Sequence, residues 1–142
     1  MILNLKLKRQ KSNSKIKRNL KEENPDLKIA YLAATLAEEK KGEDVLLLNV
    51  SRLTVISDYF LIVTAKSAAQ IEAIANNIEQ KLESLNYKLL SKEGFVLSNW
   101  LILDFGNLVV HIMHEKERNY YKLERFWSNA TAIERKLWKK AS

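Results

Sequence analysis

The sequence contains no cysteine, three glycines and one proline. Without cysteine there are no disulfides, no thiolate metal ligands and no thiol nucleophile, a usage that fits a reducing compartment. The glycines Gly42, Gly94 and Gly106 stand far apart, so no glycine-rich phosphate loop or dinucleotide fingerprint can be assembled from them. No Gly-x-Ser-x-Gly elbow is present to expose a nucleophilic serine. Long apolar runs are missing too, none approaching the roughly 20 residues of a membrane span.

Acidic residues are absent from residues 1–21, which carry eight Lys or Arg, whereas the whole chain of 142 residues has 24 basic and 17 acidic side chains. The formal charge of +7 therefore belongs to the start of the chain, and the remainder is close to neutral. Residues 1–23 are expected to form a disordered basic arm, with Lys8, Arg9, Lys11, Lys17 and Arg18 available for phosphate contacts that salt would weaken. No continuous apolar segment follows these charges, so a secretory signal is not expected. The lysine-rich composition also fits an organellar transit peptide poorly. The near-neutral body argues against a domain that reads nucleic acid across its whole face.

Residues 24–142 are expected to form one domain. Asn24, Pro25 and Asp26 supply an N-cap, a first-turn proline and an acid at the positive end of a helix dipole. Ile29, Leu32, Ala33 and Leu36 then make one stripe, and Lys40-Lys41-Gly42 is the expected end. Residues 45–50 and 58–65 read as strands. Ser67 with Gln70 forms a capping box for a helix whose stripe is Ile71, Ile74, Ala75, Ile78, Leu82 and Leu85. Residues 87–91 read as a weaker strand, and Glu93-Gly94 as a turn. Residues 100–104 and 108–113 form a hairpin around Phe105-Gly106-Asn107. A helical pattern through Leu123, Phe126, Trp127, Ala130, Ile133 and Leu137 closes the chain. The fold class is thus α/β, a single mixed sheet of about five strands with helices packed on it.

Alternation splits the hairpin into two faces. Trp100, Ile102 and Asp104 align with Val109, His111 and Met113, while Leu101, Leu103, Phe105, Val110 and Ile112 point the other way. The purely aliphatic side suits a core. The mixed side is either an interaction surface or a second core under the C-terminal helix.

His111 and His114 are the only imidazoles, and on one strand their i, i+3 spacing sends them to opposite sides, a poor metal pair. A hydrogen-bonded histidine on a half-covered face is the better reading of His111. Asp58 and Asp104 are lone carboxylates at strand ends, whereas two-metal phosphoryl transfer needs clustered acids. Adjacent Tyr120 and Tyr121 on a helix are about 100° apart, so both are not expected to be buried.

Taken in order, several stretches resemble the ribosomal silencing factor, or Iojap-like, family. They are Ser57-Asp58-Tyr59-Phe60; Ser67 with Gln70 and Ala73-Ile74-Ala75; and Glu93-Gly94. Next come Trp100 followed by Leu103-Asp104-Phe105-Gly106; Val109-Val110-His111-Ile112; Arg118 with Tyr120-Tyr121; and Leu123-Glu124 with Trp127. The likeness covers about residues 27–130. It departs at Ala65, Met113 and Ser98-Asn99, where the family favours Gly, Phe, and acid or Gly. The resemblance implies a cytoplasmic, non-enzymatic factor without cofactor or metal, plastid or mitochondrion being the alternative compartments. Its fold would look like a nucleotidyltransferase lacking the catalytic loop. Such a factor binds a protein on the intersubunit face of the large ribosomal subunit, sterically blocks small-subunit joining and represses translation when nutrients are scarce.

On that reading the mixed face is the interface, since Trp, Met and polar acceptors are enriched at such surfaces. The expected contact residues are Trp100, Ile102, Asp104, His111 and Met113, with Arg118 and Tyr121 at the rim; Val109 is expected in the core. The same face would also suit a homodimer. The competing reading is a small nucleotidyltransferase using Asp58 and Asp104 with magnesium. A weaker third is a nucleic-acid binder driven by the arm alone.

Overall fold

The computed structural model describes residues 24–94 and 99–141. The arm, with Lys8, Arg9, Lys11, Lys17 and Arg18, lies outside the described residues. Within them the chain forms α1 (Pro25–Glu39), β1 (Glu43–Asn49), β2 (Tyr59–Ala65), α2 (Ala68–Ser84), β3 (Ser91–Glu93), β4 (Trp100–Asp104) and β5 (Leu108–His114). It ends with α3 (Glu115–Tyr121), a 3-10 helix (Leu123–Trp127), β6 (Thr131–Ile133) and α4 (Arg135–Ala141). No helix among the described residues is long and apolar enough to cross a membrane.

The strands make one sheet in the order β3-β4-β5-β2-β1-β6. β2 and β5 run parallel and the other pairs antiparallel, so the mixed α/β architecture is as expected, with six strands instead of five. Every residue of β2 is buried, as a continuous β-branched and aromatic run requires of a strand covered on both faces. The two edge strands are only three residues long, which leaves little unpaired backbone at either rim.

Helices α1, α2 and α4 cover one face, over a core built on Leu47, Leu61, Val63, Leu101, Leu103, Val110 and Ile112. Asn24 caps α1 by accepting the Asp26 N–H at 2.9 Å. Ala30, Ala33, Ala34 and Ala37 are fully buried, and these small side chains let α1 lie close to its neighbours. The end of α1 differs from expectation. Lys41, at φ 66°, takes the left-handed position, while Gly42 answers a steric demand: a Cβ there would sit 2.6 Å from Val63 Cγ1 and 2.8 Å from the Ala37 carbonyl oxygen. Ser67 caps α2 through the Gln70 N–H at 3.1 Å. The return bond of the box falls one residue early, from the Lys66 N–H to Gln70 Oε1 at 2.7 Å. Gln70 Nε2 also donates to the Lys40 and Lys41 carbonyls, tying the end of α1 to the start of α2.

Two elements depart from the sequence reading. The third strand is Ser91–Glu93 instead of 87–91, and Tyr87 and Leu89 pack on the core from the approach to it. The single C-terminal helix is replaced by four short elements. Lys122, left-handed at φ 49°, ends α3, and residues 131–133 leave helical geometry to pair with Asn49, Leu48 and Leu47. Each interruption resets the helical phase, so the expected stripe disperses. Leu123, Trp127 and Ala130 face the second sheet surface and Ile133 the first, while Phe126 and Leu137 are exposed. Trp138, not Leu137, carries α4 into the core, and Arg135 grips Glu38 of α1 at 2.8 and 2.9 Å. Trp138→Ala is expected to lower stability by about 3–5 kcal/mol in urea denaturation, the range for a fully buried indole.

Candidate docking face

The second face of the sheet presents Leu46 and Leu48 of β1, Phe60, Ile62 and Thr64 of β2, and Val109, His111 and Met113 of β5, with Trp100 and Ile102 of β4 beside them. Its cover is thin: Leu123 and Trp127 of the 3-10 helix, with Ala130 following. Trp127 meets Phe60 edge-on, ring centroids 4.8 Å apart. The core thereby sealed includes Val109, as expected, and also Met113 and His111, which are 0% and 3% exposed. The expectation that these two lie open on the face is corrected. A five-residue helix is enough to cover the middle of a narrow sheet.

Asp104 is also buried, and its Oδ1 accepts the Gly106 N–H at 2.8 Å, so it anchors the hairpin turn instead of offering an acceptor at the surface. Arg118, expected at the rim, is buried as well. Its Nη1 donates to the Asp44 carbonyl and to Thr64 Oγ1 (2.9 Å), and its Nε lies 3.4 Å from Glu124 Oε2. Asp44 occupies a bulge in β1 with φ 46°. One guanidinium thus fastens α3 and the 3-10 helix to β1 and β2.

What remains accessible is Trp100 and Ile102, each partly exposed, and Tyr121, which is 50% exposed. Tyr121 lies 5.0 Å from the Trp100 ring and 4.9 Å from Tyr120, itself 80% exposed. Tyr120 was not among the expected contact residues, although the paired-tyrosine spacing signalled that one of the two must face solvent. Phe126, 78% exposed, was hidden by the assumption of one long helix. The Gly94 backbone closes on the Trp100 carbonyl at the start of β4, where a side chain would collide.

His111 joins the buried and exposed parts. Its Nδ1 accepts the Trp100 Nε1–H at 3.2 Å, which places its own hydrogen on Nε2. Burial disfavours the imidazolium and lowers the His111 pKa to about 4.

The two aspartates of the magnesium reading, Asp58 and Asp104, are both buried. Asp104 is engaged in its turn, and the backbone of Asp58 bonds to Val50 and Asn107. Pockets of about 10 and 410 Å³ are lined by other residues, neither aspartate contributing. No group of three or more His, Cys, Asp or Glu suited to a metal occurs among the described residues.

Residues 21–142 match the family described as ribosomal silencing factor during starvation. The chain belongs to this family. It is 36% identical over 102 residues to the ribosomal silencing factor RsfS of Bacillus subtilis, covering 72% of this chain and 86% of that one. It is 41% identical over 111 residues to the chloroplastic protein Iojap of Zea mays, covering 76% of this chain and 47% of the maize protein. A crystal structure of a Chromobacterium violaceum protein superposes with a TM-score of 0.69 at 32% identity, over 72% of this chain and 85% of that one. The silencing-factor relatives therefore include both bacterial and plastid proteins.

A folded-state His111 pKa below the unfolded value means that the unfolded chain binds the proton first. Its contribution is complete above pH 6.5 and is lost as pH falls through about 4. Between pH 7.5 and 4 the parent protein is expected to lose roughly 3 kcal/mol more stability than His111→Asn, read by urea denaturation across that range.

Proposed function

We propose that this silencing-factor chain acts without catalysis. It binds a protein on the intersubunit face of the large ribosomal subunit and occupies space the small subunit needs, so that translation is repressed. The observation that carries the reading is the arrangement of Trp100, Ile102 and Tyr121, aromatic and aliphatic side chains partly exposed at the margin of a sealed core. Large side chains on a rigid base lose little conformational freedom on binding and are the usual anchors of an interface. Asp104, His111, Met113 and Arg118 support that surface from beneath. The basic arm, through Lys8, Arg9, Lys11, Lys17 and Arg18, adds contacts to ribosomal RNA. The bacterial and chloroplastic relatives support a ribosome of bacterial type, in a bacterial cytoplasm or an organelle.

Sedimentation with purified large subunits, paired with a subunit-joining assay, tests this directly. Trp100→Ala is expected to weaken binding about 30-fold, the equivalent of ~2 kcal/mol, and Ile102→Asp at least as much, both with a native circular-dichroism spectrum. Binding unchanged in both variants would remove this face from the role, and a sedimentation-equilibrium dimer broken by the same changes would assign it to self-association.

Removing residues 1–21 is expected to leave subunit binding in place but to flatten its dependence on salt concentration, measured between about 50 and 200 mM. An unchanged slope would show that the arm makes no phosphate contact.

A further inference from the structure

The hydrogen bond between Trp100 and His111 crosses the hairpin on the diagonal. The residues directly opposite one another are Trp100 and Met113, and Ile102 and His111. To reach Nδ1 the Trp100 indole must therefore turn along the strand pair, over the face and toward Ile102, instead of standing out from the sheet. Diagonal neighbours on one face lie about 7–8 Å apart at the backbone, a span an indole can bridge.

The imidazole that receives it is itself fixed. Phe60 lies 5.5 Å from His111, and Trp127 backs Phe60 at 4.8 Å. On the other side the Trp100 ring meets Tyr121 at 5.0 Å, and Tyr121 meets Tyr120 at 4.9 Å. Six rings thus run in sequence from the sealed core to solvent: Trp127, Phe60, His111, Trp100, Tyr121 and Tyr120.

We propose that His111 is a positioning residue for docking: by accepting the indole N–H on Nδ1, it holds Trp100 in the orientation that a ribosomal protein meets. The inference rests on the docking reading above. A neutral imidazole is required, because the protonated ring has no acceptor to offer; burial keeps His111 in that state. Without the bond, Trp100 at the first residue of β4 gains rotamers that binding must then remove, a cost that weakens association.

The test uses the 142-residue chain and two substitutions. His111→Leu fills the site and removes the acceptor. His111→Asn places a carbonyl oxygen near the position of Nδ1. Two readouts are taken: hydrogen exchange of the Trp100 indole N–H by NMR in the free protein, and affinity for isolated large subunits.

His111→Leu is expected to speed indole exchange at least tenfold and to weaken binding about three- to tenfold, with His111→Asn recovering most of both. Leu and Asn variants equally impaired would assign the loss to packing and overturn the proposal. So would a Leu variant whose exchange or affinity matches the parent while Trp100→Ala still binds poorly, an outcome that leaves the docking face intact. Trp100→Ala binding like the parent would overturn the docking role of Trp100, and this inference with it.

Discussion

A strand buried on both faces must be covered from both sides, and β2 sets that demand for the whole molecule. One side is met by three helices. The other is met by the five residues of a 3-10 helix, too short to hold itself in place by local hydrogen bonding. Arg118 supplies the fastening: its guanidinium reaches the Asp44 carbonyl and Thr64 Oγ1 beneath and Glu124 on the cover. A planar fork of fixed donors can join three elements at once, where the point charge of a lysine would not satisfy the same geometry.

The unequal cover also explains where an interaction surface can lie. Beneath the 3-10 helix the sheet is sealed and apolar. At its margin, toward β4, the cover gives out, and Trp100 and Ile102 are left partly exposed and Tyr121 half exposed. Tryptophan and tyrosine suit that position, because each has an apolar body and a polar tip that can be served separately. The Trp100 indole N–H is served from within by His111, which leaves the ring for external contact.

The body of a silencing-factor chain also separates shape from charge. Residues 1–21 carry eight basic and no acidic side chains, more than the whole formal excess of +7, so on the proposed function non-specific attraction to phosphate and specific protein contact reside in different parts of the sequence. Salt would then act on the first with little effect on the second.

Sequence alone determined the elements whose signals are local. The Asn24 and Ser67 caps, the Ile29, Ala33 and Leu36 stripe of α1, the stripe of α2 as far as Leu82 (Leu85, expected to continue it, is exposed) and the two faces of the hairpin all follow from spacing and from side chains that bond within a few residues. The ordered set from Ser57 to Trp127 identified the family for the same reason, since it is a linear pattern. Tertiary structure decided what depends on distant partners. Residues 131–133 became a strand because the edge of β1 offered hydrogen bonds, which broke the helical phase and put Trp138 where Leu137 was expected. His111, Met113 and Arg118 went inside because a cover from further along the chain reached them. Alternation states which side of a sheet a residue is on; only the packing of the remaining chain states whether that side meets water.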